Sequence, residues 1–253
     1  MKNPSSRDTI VWIVPVIVLL IVTMTHAQQL PPGTVIPVML DTSLNASKGG
    51  SDKKITGRVM QKISLPSGIV IRERSQITGH IVSAGDAEGS ESRIILKFDA
   101  IESAGQRFRV ATALIALASM MRVSEAQTPI NSTSNMDPMS QWTTRQIGGD
   151  IVYRGRGTAG SATGEVGRWV GGTSVLIKLT PNPEAGCPTG AGYDREQAVW
   201  VFSSGACGTY GITNVKITNL GVPSSLGEIS LTSQRNIAIR GGSGWLLITV
   251  DRS

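Results

Sequence analysis

From residue 30 onward, apolar and polar positions alternate in short runs broken by Gly, Pro, Asn, Asp and Ser. A period of two puts successive side chains on opposite faces, so the pattern predicts half-buried β-strands. Such runs fall at 34–40, 55–63, 69–72, 76–82, 93–98 and 108–117, with a turn at Gly105 between the last two. Pro37 marks the first strand as an edge or bulged one. Residues 45–54 are polar and read as a loop, and 84–92 as a turn. The stretch 110–121 is rich in Ala, Leu and Met and is read as a buried strand running into a short helix. Residues 124–141 are poor in large apolar side chains and predict a linker. Further strands are expected at 173–179, 198–203, 212–218, 228–232, 236–240 and 245–250, separated by glycine pairs.

Within this pattern one segment repeats. Leu30-Pro31-Pro32-Gly33-Thr34-Val35-Ile36 returns as Leu65-Pro66-Ser67-Gly68-Ile69-Val70-Ile71. A second echo follows each copy: Ile55-Thr56-Gly57-Arg58-Val59, then Ile77-Thr78-Gly79-His80-Ile81. Repeats of this kind point to a duplicated supersecondary unit. The expectation is a pair of related hairpins, the first bearing an inserted loop at 45–54. Gly33, Gly57, Gly68 and Gly79 are the expected turn and bulge positions. Arg58 and His80 occupy the same place in the two copies, which suggests an outward-facing surface site.

The N-terminal 27 residues change the picture of compartment. Lys2 and Arg7 precede an apolar run at 10–24, and Thr25-His26-Ala27 ends in a small residue. That is the layout of a secretory signal. The run falls short of the roughly 20 apolar residues a spanning helix takes. Cleavage is the expectation, with an uncleaved anchor as the alternative. An exported address makes the two cysteines, Cys187 and Cys207, candidates for a disulfide. Closing a loop of about 20 residues would add roughly 3 kcal/mol in the chain-entropy model. A pair of buried free thiols is the alternative. No metal site is expected, since His80 is the only histidine beyond the signal segment. Net charge is +6, but the basic residues are scattered, which argues against a nucleic-acid groove.

Catalytic chemistry finds little footing. Serine nucleophiles need a nearby base, and His80 is the one histidine on offer. No nucleophile elbow, phosphate loop or zinc-protease motif occurs. A hydrolase using two carboxylates would draw on Glu165, Glu184, Asp194 and Glu196, which flank the glycine-rich region. Of the tryptophans at 142, 169, 200 and 245, Trp200 and Trp245 lie in apolar runs and read as core. Trp169, beside glycines, is the candidate for an exposed stacking surface.

Gly33-Thr34-Val35-Ile36-Pro37-Val38-Met39-Leu40, followed by Leu65-Pro66-Ser67-Gly68 and Ile77-Thr78-Gly79, resembles the opening of the β-barrel domain of TrbI-like proteins. These are outer-membrane core subunits of conjugation and type IV secretion machines. The resemblance covers residues 30–115. It implies a barrel-type fold, an envelope address and action by assembly, with no catalytic residues. Family members usually carry a cytoplasmic tail, an inner-membrane helix and a long periplasmic Pro-rich segment ahead of the barrel, whereas here the barrel-like segment is expected to start directly after the signal segment. The second half, with Cys187 and Cys207, matches nothing in that family.

The expected protein is therefore all-β: a signal peptide (1–27), a partly duplicated-hairpin, barrel-like domain (28–123), a linker (124–141), and a smaller β-sandwich or meander with one disulfide (142–253). The expected role is that of an exported, non-enzymatic envelope protein without cofactor. It would be periplasmic, outer-membrane-associated or extracellular, and would bind an envelope partner or itself. Trp169, Arg58 and His80 are its candidate binding residues. The alternatives are a carbohydrate- or peptidoglycan-binding module, which would take a cell-wall polymer, and the two-carboxylate hydrolase.

Overall fold

A computed structural model describes residues 28–86, 91–127, 142–149, 151–154, 158–161, 164–169, 175–177, 200–203, 205–220 and 227–251, with 142–145 and 151–177 described by their backbone. The expected signal segment lies outside the described residues. The fold is all-β with one short helix. In chain order the strands are β1 (Gln28–Gln29), β2 (Val35–Leu40), β3 (Leu44–Asn45), β4 (Lys54–Val59), β5 (Ile63–Ser64), β6 (Val70–Ile71), β7 (Gln76–Asp86), β8 (Ser92–Ser103), β9 (Gln106–Arg109) and β10 (Thr112–Ala118). The helix α1 (Met120–Gln127) follows. Then come β11 (Trp142–Arg145), β12 (Ile151–Arg154), β13 (Thr158–Ser161), β14 (Gly164–Trp169), β15 (Val175–Ile177), β16 (Gly208–Tyr210), β17 (Lys216–Ile217), β18 (Ile229–Ser233), β19 (Ala238–Ile239) and β20 (Gly244–Thr249).

The main sheet runs β1-β9-β8-β7-β4-β2-β20-β10-β16, and β18, carrying β17, joins the free part of β8's edge beside β9. It curls until β10 approaches β18, and one apolar cluster fills the inside. Alternation works here as expected. Ile36, Val38 and Leu40 of β2, Ile55 and Val59 of β4, and Trp245 and Leu247 of β20 all point inward and are at most 0% exposed. Trp245 meets Phe98 edge-on, ring centroids 6.1 Å apart, and donates its indole N–H to Ser243 Oγ at 2.9 Å. Aromatic pairs prefer this edge-to-face geometry, and a buried indole N–H needs a partner.

The three strands β2, β20 and β10 are covered on their outer face as well. A second cluster there joins Leu246, Ile115, Ala116 and Ala118 to Val123 and Ala126 of α1 and to Trp200, Phe202 and Tyr210. A bulge between Leu114 and Ala116 lets β10 serve both layers: Leu114 and Leu117 face in, Ile115 faces out. An extra residue in one strand shifts the face of everything beyond it.

β20 corrects the expected division into two β-domains. It lies antiparallel between β2 and β10, with Ile36 opposite Leu247 on one side and Leu114 opposite the same residue on the other. β18 likewise pairs with β8. The C-terminal strands are thus part of the first sheet, not of a separate unit over 142–253. The reason is burial: Trp245, Leu246 and Leu247 are hydrophobic on both faces and need cover on both. The expected linker is corrected at its start, since α1 occupies Met120–Gln127. Residues 128–141 lie outside the described ones. Pro37 also departs from expectation, sitting in a central strand opposite Leu246. Its carbonyl accepts from Met60 N–H at 2.9 Å, and its missing N–H faces the point where β4 ends, so the ladder to β20 loses nothing.

The glycine-rich stretch forms a separate antiparallel meander in the order β11-β12-β13-β14-β15. Its base is closed by a parallel bridge between Ile147 and Phe202, with Ile147 N–H donating to Val201 O and Ser203 N–H to Ile147 O. The expected strand at 198–203 is reduced to this bridge among its described residues.

The repeat resolves into two different contexts. Gly33 and Gly68 have φ of +81° and +82°, the left-handed region that glycine enters freely. In the first copy, the C-terminal Thr249 clamps the turn. Gly33 N–H donates to Thr249 O at 2.8 Å, Thr249 N–H donates to Thr34 O at 2.9 Å, and both Thr34 and Thr249 hydroxyls donate to Pro31 O. In the second copy Gly68 N–H bonds Leu65 O locally, and β6 pairs back onto β5. The expected second hairpin of β6 with β7 is therefore corrected: β7 pairs instead with β4 and β8.

We expect Trp245→Ala to cost about 3–5 kcal/mol, the range for emptying a buried aromatic site, in a single cooperative denaturant transition. Gly68→Val should cost about 1–3 kcal/mol through left-handed backbone strain alone, since no atom lies within 4 Å of the added Cβ.

Candidate functional site

The second echo explains how the sheet builds a polar groove on its outer surface. The two copies lie side by side, antiparallel, in β4 and β7. Thr56 faces Thr78, Ile55 faces Gly79, and Gly57 faces Ile77. Each isoleucine points inward, and each glycine lets the next strand approach, β2 at Gly57 and β8 at Gly79. A Cβ on Gly57 would sit 2.9 Å from Val38 Cγ1 and 2.8 Å from Met39 O. Gly57 is thus a packing position inside a strand, which corrects the expectation of a turn or bulge.

Gly79 does mark a bulge. A Cβ there would overlap Lys97 O and lie 2.8 Å from Phe98 Cα. Thr78 pairs with Ala100 while Gly79 pairs with Phe98, so Asp99 is the extra residue on β8. Bulges re-aim side chains. Here Asp99 meets His80, with Nδ1 and Oδ2 2.8 Å apart.

The inward alternation sends Lys54 of β4 and Gln76, Thr78 and His80 of β7 to the outside. Asp99 and Glu102 of β8 and Arg107 of β9 join them, and Asp52 closes the near end. Together they line an open groove of about 500 Å³. Asp52 belongs to the loop inserted after the first repeat. It has φ of +62°, which Asp tolerates, and its N–H donates to Ile81 O at 2.8 Å. That loop is fixed elsewhere too: β3 pairs with β19, and Ala46 is fully buried.

Two side-chain pairs stand in the groove. His80 and Asp99 are 29% and 37% exposed at their side chains. Arg107 Nη1 meets Glu102 Oε1 at 3.0 Å, across the β8–β9 hairpin. Partly exposed pairs of this type contribute little to folding. Their arrangement offers charged and hydrogen-bonding groups on a sheet fixed by its core. Among the described residues, no group of His, Cys, Asp and Glu could hold a metal ion.

The candidate residues separate. His80 is in the groove, whereas Arg58 lies beyond it and binds Asp41, Nη2 to Oδ1 at 2.9 Å. The matching positions are both outward and both hold an aspartate, but at different places. Trp169 ends β14, whose side chains are outside the described ones. Glu165 lies on the same strand, and Glu184, Asp194 and Glu196 lie outside the described residues. Trp200 and Trp245 are buried. Cys207 is buried and not free, and its expected partner Cys187 lies outside the described residues. Asp99, Glu102, Arg107 and Asp52 were not singled out by sequence. The alternation in 54–58 and 76–80 carries a polar outer face and Gly79 signals a bulge, but nothing in the sequence says which residue of the facing strand that bulge turns toward His80.

Neither a family model nor a curated protein matches this chain.

A double-mutant cycle on His80→Ala and Asp99→Ala should give a coupling of about 0.2–1 kcal/mol in denaturant melts, the range for exposed pairs. A coupling well above that range would make the pair a stability element instead of a free binding group.

Proposed function

We propose that the protein is an exported, non-enzymatic component of a bacterial envelope that acts by binding or assembly, with the β4–β7–β8–β9 groove as its binding face. The observation that carries this reading is the groove itself: a polar, solvent-open surface on strands whose other faces are locked in the core. Recognition sites are rigidly backed concave surfaces with a few convergent polar groups. The signal-like segment 1–27 supports the address, and the TrbI-like repeat, with its barrel-like curl, supports action by assembly. The carbohydrate-binding alternative loses two of its four tryptophans, because Trp200 and Trp245 are buried. A Cys187–Cys207 disulfide, tying the 187 region to the base of the meander, belongs to the same reading.

Chemical crosslinking of the exported protein in whole envelopes should give complexes above monomer mass, with itself or another envelope protein. Combined His80→Ala and Arg107→Ala should reduce them several-fold at an unchanged melting temperature. Crosslinks indifferent to both changes would contradict the groove's role, and retention on peptidoglycan without protein crosslinks would favour the carbohydrate reading. Thiol labelling of the denatured, unreduced protein should modify no cysteine. Labelling at both positions would remove the disulfide.

A further inference from the structure

We propose that the groove takes a short zwitterionic peptide, one presenting free carboxylates and a free amine within three or four residues. This rests on the reading of the groove as the binding face and names its ligand class.

Charge is the first argument. Lys54 stands at one end, in register with His80, and Arg107 at the other, across from Glu102. Asp99 lies between them on β8. Positive and negative groups therefore occur along the whole groove. A purely anionic ligand would meet Asp99 and Glu102, and a purely cationic one would meet Lys54 and Arg107. A ligand with both signs satisfies each group, and like-charge contacts against the alternatives give discrimination.

Length is the second. β8 and β9 are neighbours, and Arg107 pairs with Glu102, three residues beyond Asp99, so Asp99 and Arg107 are separated by one strand spacing across the sheet and three residues along it, roughly 11 Å. An extended chain covers about 3.3–3.6 Å per residue, so three or four residues span that distance. The volume of about 500 Å³ lies in the range of small-ligand sites.

Exchange is the third. Asp99 and Glu102 sit in partly exposed pairs. Opening such a pair costs at most about 1 kcal/mol, so a ligand carboxylate can take Arg107 from Glu102, and a ligand amine can take Asp99. No Phe, Tyr or Trp lines the groove, so the broad stacking platform that sugar rings use is missing among its residues.

Titration calorimetry on the purified protein tests this with three probes. The first is Ala-Glu-Lys with free termini, the second is its uncharged counterpart acetyl-Ala-Gln-Gln-amide, and the third is an N-acetylglucosamine tetramer. We expect saturable binding of the charged tripeptide only, weakened about tenfold or more by Asp99→Asn or Arg107→Gln and unchanged by the distant Lys216→Gln. Equal binding of both peptides, binding of the saccharide alone, or no heat from any probe at millimolar concentration would overturn the proposal. The comparison of the peptides needs no variant, so it stands even if a substitution unfolds the protein. If no peptide binds while groove substitutions still abolish envelope crosslinks, the ligand class fails and the binding face survives. If the peptide binds and the crosslinks ignore the groove, the assembly role fails alone.

Discussion

Everything in this fold depends on the last strand lying between an early one and a middle one. β20 fills the gap between β2 and β10, and Thr249 closes the first turn by bonding Gly33, Thr34 and Pro31. Without it, β2 and β10 would each lose a neighbour, and the inner and outer apolar clusters would lose Trp245, Leu246 and Leu247. Chain ends far apart in sequence thus share one ladder. Such non-local pairing is slow to form, but it places the whole sheet in a single cooperative unit.

That rigidity is what gives the outer face its meaning. β4 and β7 carry inward Ile55 and Ile77 and outward polar groups on the same residues' neighbours. The core fixes the backbone, the backbone fixes the spacing of Lys54, Gln76 and His80, and the bulge at Asp99 fills in the charge between them. The groove follows from packing, and the one lining residue outside the strands, Asp52, is held by its N–H bond to Ile81 O. The meander takes a different place in the design: Ile147, between its first two strands, bridges to Phe202 beyond its last, and that pairing sits in the outer cluster.

The sequence made the strands legible wherever one face is buried and the other wet. The runs beginning near residues 34, 55, 76 and 93 became β2, β4, β7 and β8, because a period of two has one physical reading there. Partner choice was not legible. Trp245, Leu246 and Leu247 announce burial but not against which strands, so β20 was assigned to a second domain. The shared Leu-Pro-x-Gly motif likewise fixes a left-handed glycine in both copies, yet a distant Thr249 decides that one copy leads into a central strand. Strands β13 and β14 are not legible because glycine carries no alternating side chain to read, and β11 and β12 are four-residue runs set against the polar stretch 124–141 and the glycines after 148. At the site, His80 was visible as an outward residue, whereas Asp99 depended on a one-residue bulge.

The central claim is that β20 and its neighbours are one cooperative unit, and native-state hydrogen exchange tests it most directly. Three cross-strand amides report on it: Leu40, bonded to Ser243 O; Thr249, bonded to Thr34 O; and Val250, bonded to Ala111 O. The account predicts that all three exchange through one opening event, with the same free energy as the ladder amides between β4 and β7. Exchange of Thr249 and Val250 at a much lower free energy, while β4 and β7 stay protected, would contradict it.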